Sequence, residues 1–253
     1  MILALAALAF GLIIGSFLNV CIYRLPLKKS VVWPASRCPE CDAPIQPFDN
    51  IPVLSYLALR GRCRACKAPI SVKYPVIEAL TGALFLAAYL MFEPPVLYQR
   101  LVFGCAMIVL SVIDLEHRIL PDLITLPGIL LGFALSFFMP PGWLDSLLGI
   151  VLGGGSLWLM GEVYFRLRHE EGMGFGDVKM LAMIGAFLGW KLMLLTLVLS
   201  SFLGSVIGLG MIAIRLGDLK YALPFGSFLA IGAICASTVG DRIVNWYTLL
   251  MYR

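Results

Sequence analysis

Glu171-Gly172-Met173-Gly174-Phe175-Gly176-Asp177-Val178-Lys179 is a glycine-rich, charged stretch set between two long apolar runs. Its carboxylate stands where a new apolar segment begins. An acid at the edge of a membrane span is costly and asks for a reason. One similar acid-rich break occurs, Asp114-Leu115-Glu116-His117-Arg118-Ile119-Leu120-Pro121-Asp122. The two breaks predict a fold in which Asp114 and Asp177 meet as a catalytic pair. The surroundings are those of a membrane protein. The chain has 253 residues, is 60% hydrophobic and 13% charged, and has a mean hydropathy of +0.94. A soluble domain is nearer a quarter charged. The small excess of 19 Lys and Arg over 15 Asp and Glu is spread through loops. It forms no continuous basic face, so no nucleic-acid partner is expected.

Outward from these breaks, the apolar runs cover about 2–18, 76–92, 98–113, 123–139, 144–165, 178–190, 192–214 and 224–247. This predicts an all-α polytopic membrane protein of about eight transmembrane helices. The first run has no basic segment before it and no clear small-residue cleavage site after it, so it reads as a retained span. The expected domains are a first helix at 1–23, a polar segment at 24–74 and a transmembrane domain at 75–253. The polar segment carries seven prolines from Pro26 to Pro69 and is too short to build a large core, so it needs a staple. Loop charge tests this topology. With 24–74 in the cytoplasm, 15 of the 19 basic residues lie on that side, and Arg100, Lys191, Arg242 and Arg253 lie opposite. Both Asp114 and Asp177 then face the cytoplasm. Merging the two runs that meet at Gly189-Trp190-Lys191 spoils the asymmetry. No internal repeat is expected. Gly176, Ala182, Gly185, Ala186 and Gly189 form a small-residue series suited to close helix packing.

The staple is visible as Cys38-Pro39-Glu40-Cys41 and Cys63-Arg64-Ala65-Cys66, two CxxC knuckles with spacing close to a zinc pattern. Four thiolates around one Zn²⁺ make a closed, structural site. A cytoplasmic location disfavours disulfides. The bland alternative is a reduced or redox-active thiol set. Cys21, Cys105 and Cys235 read as small apolar residues of the spans.

Two acids held close share one proton, so that one serves as base towards water and the other as acid towards a carbonyl. This chemistry needs no metal and no covalent intermediate. Gly174 and Gly176 are expected to form an active-site loop with Lys179, turning the backbone and admitting a substrate strand. Taken alone, Asp177 also reads as a helix N-cap, and Asp122 as a capping or first-turn acid. Asp114 is harder to explain structurally, because a negative charge at the end of a helix opposes the helix dipole. His117 and His169 have no metal or nucleophile partner pattern and read as solvated loop residues. Glu78 reads as a helix-entry acid.

Together these residues resemble the bacterial type IV prepilin peptidases, or prepilin leader peptidase/N-methyltransferases. The resemblance runs through Gly15-Ser16-Phe17-Leu18-Asn19-Val20, Tyr23-Arg24-Leu25-Pro26, the Cys pairs and Asn50-Ile51-Pro52-Val53-Leu54-Ser55-Tyr56. It continues through Tyr74-Pro75, Glu78, Asp114 to Asp122, Gly172 to Lys179, Pro224-Phe225-Gly226 and Leu229-Ala230. It implies an intramembrane aspartic protease of the GxGD type with Asp114 and Asp177 as its catalytic acids. It implies prepilin and pseudopilin substrates, cut after a glycine at the cytoplasmic face of the inner membrane. It further implies methylation of the new N-terminal residue by S-adenosylmethionine, associated with the cysteine domain. No methyl-donor site is recognisable, and no Rossmann-type glycine loop follows a strand. Two other classes compete. A small transporter would relay protons or cations through intramembrane acids, but it should carry them near the midplane. A zinc-dependent hydrolase would need an open metal site, which four cysteines do not make.

Overall fold

The computed structural model describes residues 1–170, 174–213 and 223–251. Glu171, Gly172, Met173 and Arg253, which enter the sequence reading above, lie outside the described residues, as do Arg215 and Lys220, two of the 15 basic residues placed on the cytoplasmic side. Among the described residues, the regular structure is helical apart from two isolated β-bridges, and residues 25–72 are mostly turns and loops. Runs of apolar side chains leave the backbone no water to bond to in a bilayer, and a helix satisfies every amide internally. The helices are α1 (Ile2–Arg24), α2 (Leu54–Ala58), α3 (Lys73–Met91), α4 (Val96–His117), α5 (Asp122–Leu135), α6 (Trp143–Arg168), α7 (Phe175–Ala213) and α8 (Phe225–Met251). Six of them are long and apolar enough to cross a membrane, and α5 is a shorter apolar helix. The chain divides into two compact units, Met1–Val109 and Leu110–Arg253.

In the first unit, α1 packs on α3. A Cβ at Gly11 would meet Phe85, and one at Gly15 would meet Glu78 and Thr81, so the two helices are antiparallel. Phe10 and Phe85 add an edge-to-face ring contact at 5.8 Å. The Asn19 amide donates to the Tyr74 carbonyl at 3.1 Å and ties the foot of α1 to the start of α3.

In the second unit, α7 has 39 helical residues. Unbroken, it would be about 58 Å long, nearly twice a bilayer core of about 30 Å. It is broken at Gly189, whose φ of 76° and ψ of 172° only glycine adopts readily. The contacts of α8 show that the chain reverses there. Gly226, at the start of α8, faces Asp177. Phe228 faces Gly204, Gly232 faces Ser200, and Gly240 faces Leu192. Numbers rise along α8 as they fall from 204 to 192, so the second half of α7 returns to the level at which the first began. The two runs expected on either side of Gly189 are therefore two antiparallel segments.

The first half of α7 is the buried centre of this unit, with Met180, Leu181, Met183 and Ile184 fully covered. Its backbone touches that of α6 at Gly185 and Gly149, an approach that only small residues allow. Ser146 on α6 donates to the Ala186 carbonyl at 2.8 Å, and the Trp190 indole donates to Asp145 at 3.1 Å. These polar ties hold the turn after Gly189 and leave the opposite end of α7 free to meet α4 and α8.

Candidate active site and metal centre

Asp114 lies in the last turn of α4 and is only 5% exposed. Asp177 lies in the first turn of α7 and is half-buried. The two converge on Gly226, in the first turn of α8. A Cβ built on Gly226 would stand 3.0 Å from Asp114 Oδ2 and 3.1 Å from Asp177 Oδ1. These two oxygens therefore lie no farther apart than the sum of those distances, beside a residue that has no side chain to part them. The structure thus brings together the two acids that the sequence paired.

The walls of this site come from residues that the sequence reading passed over. Leu120 approaches both helix starts, 3.0 Å from where a Cβ would be at Gly176 and at Gly226. Ser227 donates its backbone N–H to Asp114 Oδ2 at 2.7 Å, and its hydroxyl lies 3.0 Å from the same oxygen. The Pro224-Phe225-Gly226 motif marked this neighbourhood. Nothing in the pattern distinguished Ser227 from any other polar residue near a helix start.

Several expectations are corrected by the geometry. Gly176 and Lys179 lie within α7, and only Gly174 precedes it, so the three do not form one loop. Neither Gly174 nor Gly176 has a positive φ; Gly176 serves the close approach of Leu120. Asp177 is not an N-cap but the third residue of α7, its amide donating to the Gly174 carbonyl at 3.1 Å. Lys179 forms a close ion pair with Asp122, the first residue of α5, and stands 5.3 Å from the Phe175 ring. Asp122 is thus a first-turn acid with a specific partner. Glu78 is no simple helix-entry acid: it is 8% exposed and accepts the Val53 amide at 2.7 Å. Val53 has a φ of 60°, an unusual conformation for a β-branched residue. His117 ends α4 and His169 follows α6, both exposed.

In the first unit, the sulfurs of Cys38, Cys41, Cys63 and Cys66 all lie within 4.8 Å of one another. Those of Cys38 and Cys66 are 3.9 Å apart. Four thiolates at about 2.3 Å from a tetrahedral ion stand about 3.8 Å from each other, so the set fits a four-cysteine metal site. No disulfide joins them. The two knuckles are copies. Arg37-Cys38-x-x-Cys41-x-Ala43-Pro44-Ile45 recurs as Arg62-Cys63-x-x-Cys66-x-Ala68-Pro69-Ile70, a short repeat that was not expected. In each, the first Cys amide donates to the alanine carbonyl, at 3.0 and 2.9 Å. In each, the residue after the second Cys takes a positive φ, 54° at Asp42 and 62° at Lys67. Arginine and proline close each knuckle with a β-bridge. The amides of Cys66 and Ala65 hold the Cys63 thiol down to about 7, towards the thiolate that binds metal. Arg64, within the second knuckle, donates to both Asp49 Oδ1 and Oδ2 and holds that carboxyl below the usual carboxylate range. This ties the knuckle to the turn Pro47–Asn50. Cys21, Cys105 and Cys235 stand apart from the cluster. The described residues form no extended strand, so they offer no Rossmann-type donor loop.

Comparison with known proteins covers both parts of the chain. Residues 9–92 match the bacterial peptidase A24 N-terminal domain, and residues 101–209 match the type IV leader peptidase family. A prepilin leader peptidase/N-methyltransferase of Pseudomonas putida is 38% identical, covering 94% of this chain and 91% of its own. One of Aeromonas hydrophila is 39% identical over the same shares, and one of Myxococcus xanthus is 45% identical over 80% of this chain and 61% of its own. No solved structure matches the chain significantly. The transporter alternative finds no support in these relatives. With near full-length similarity to them and a domain match on each side of residue 100, the chain belongs to the type IV leader peptidase family.

Proposed function

We propose that this chain cuts the leader peptide from type IV prepilins and pseudopilins and then methylates the new N-terminus. The observation that carries the peptidase reading is the convergence of Asp114 and Asp177 on Gly226, from helices far apart in sequence. Two carboxylates this near each other do not both ionise easily, so one keeps a proton while the other is charged, and the pair can act on water and on a peptide carbonyl in the same step. Asp114 and Asp177 each end or begin a membrane helix, so the reaction takes place at the rim of the bilayer. The excess of basic residues in the loops on that side supports a cytoplasmic rim. A prepilin is matched to such a site. Its basic leader stays in the cytoplasm, its apolar helix enters the bilayer, and the scissile bond lies between them. Gly174, Gly176 and the Lys179–Asp122 pair then serve to seat the start of α7 against Leu120 and α5.

The four cysteines hold Zn²⁺ in this reading, as a closed structural site that folds residues 24–74. Methylation is assigned to that part of the chain, with S-adenosylmethionine as the methyl donor. The deciding experiment incubates the purified full-length protein with a synthetic prepilin in detergent, and mass spectrometry scores leader removal. Wild type cleaves, and folded Asp114→Asn and Asp177→Asn variants do not. Cleavage by both variants would overturn the proposal.

A further inference from the structure

The two aspartates are held differently. Asp114 Oδ2 receives the backbone N–H of Ser227 at 2.7 Å and faces its hydroxyl at 3.0 Å. The same hydroxyl oxygen lies 3.0 Å from the carbonyl oxygen of Ser111, nearly one turn before Asp114 on α4. Among the described residues, nothing donates to the Asp177 carboxylate. The Ser227 hydroxyl has one hydrogen to give and lone pairs to receive one. Facing a charged Asp114, it donates to the carboxylate. Facing a protonated Asp114, it accepts that proton's hydrogen bond and turns its own hydrogen to the Ser111 carbonyl. Both arrangements leave every buried polar atom of the trio satisfied. The amide in the first turn of α8 adds a fixed donor that favours the charged form.

We infer that Ser227 is a positioning residue that divides the labour of the pair: Asp114 takes the proton of the attacking water, and Asp177 supplies one to the scissile carbonyl oxygen. This rests on the aspartate-pair reading above. In the first step a water O–H bond breaks and its proton passes to Asp114. The water oxygen bonds to the carbonyl carbon, and the carbonyl oxygen takes the proton of Asp177. In the second step the C–N bond breaks and the leaving nitrogen takes the proton from Asp114. The tetrahedral hydroxyl returns its proton to Asp177. The Ser227 hydrogen points to Asp114 before and after the reaction and to Ser111 in between. The charged groups facing Asp114 are Asp177 from α7 and Arg118 from the turn after α4; α8 contributes the uncharged Ser227.

The test measures kcat and KM for prepilin cleavage across pH with the full-length protein, for wild type, Ser227→Ala and Ser227→Thr. Thermal unfolding is followed in parallel. Losing a hydrogen bond to a charged group lowers kcat of the Ala variant about tenfold near neutrality. KM stays within about twofold, because the bond is made to the enzyme's own acid. The acid limb of the profile moves to higher pH, since the base must now lose its proton with the backbone amide as its one remaining donor from α8. Thr restores both. A folded Ala variant whose acid limb does not move overturns the inference, whether or not its rate falls. Should Ala fail to fold, Ser227→Cys, a weak donor of similar size, is compared with Thr under the same criterion. If Asp114→Asn still cleaves, the aspartate-pair reading fails and the inference fails with it.

Discussion

Asp114 and Asp177 both come within 3.1 Å of where a Cβ would stand on Gly226, from helix ends of opposite polarity, the last turn of α4 and the first turn of α7. The first position opposes the helix dipole and the second suits it. Asp114 is the more buried of the two, and it is the one that receives hydrogen bonds from α8. The asymmetry of the pair is thus built into the backbone before any substrate arrives.

Residues that act as a unit show non-additive losses. Asp114→Asn and Asp177→Asn are each expected to lower leader cleavage by about a thousandfold or more. The double variant is expected to be no worse than the weaker single one. Single-turnover cleavage of a labelled prepilin by the three variants checks this, and a multiplicative loss would mean that the two acids act independently.

Gly226→Ala places a methyl group 3.0 Å from Asp114 Oδ2, 3.1 Å from Asp177 Oδ1 and 3.0 Å from Leu120 Cδ1. These contacts push the carboxylates out of register, and misplacement of this size costs about a hundredfold in kcat. Gly155→Ala on α6, where a Cβ meets nothing within 4 Å, is the control and keeps wild-type activity.

Removing the metal is expected to separate the two activities. Cys38→Ser leaves three thiolates and loses the bound ion, as elemental analysis would show. Residues 24–74 then become sensitive to protease, because so short a segment owes its fold to the ion. Methylation is lost and leader cleavage is kept. Loss of both together would place the four-cysteine site in the peptidase machinery.

Gly189→Ala forces a side chain into a conformation that costs about 1–3 kcal/mol, and its Cβ would stand 2.8 Å from Pro141 Cβ. The variant is expected to unfold at lower temperature in detergent while the folded fraction keeps wild-type kcat, since the turn lies at the far end of the first half of α7 from Asp177.

Glu78 accepts the amide of the strained Val53. Glu78→Ala orphans that amide, and a lost bond to a charged group costs about 1.5–3 kcal/mol. Hydrogen exchange at Val53 and its neighbours is expected to accelerate, and Glu78→Gln, which retains an acceptor oxygen, restores most of the protection. Equal exchange in both variants would mean that the charge, not the acceptor, holds the turn.

Composition alone determined that this is a helical membrane protein, because apolar runs of this length have no other stable form in a bilayer. The two CxxC pairs named the cysteine cluster that could hold a metal, since ligand identity and spacing are local properties of the chain. The two acid-rich breaks named Asp114 and Asp177, because a carboxylate at the edge of an apolar run is conspicuous wherever it stands. The tertiary structure alone decided the rest. It placed Ser227 and Leu120 beside the acids, and these are ordinary residues until α8 and the turn after α4 bring them there. It turned Glu78 from a helix-entry acid into the buried anchor of Val53. The break at Gly189 was already favoured by loop charge, and the packing of α8 showed that the two segments it separates run antiparallel. Periodicity and composition report what each segment prefers by itself, whereas a site is made of contacts between segments distant in the chain, which only packing creates.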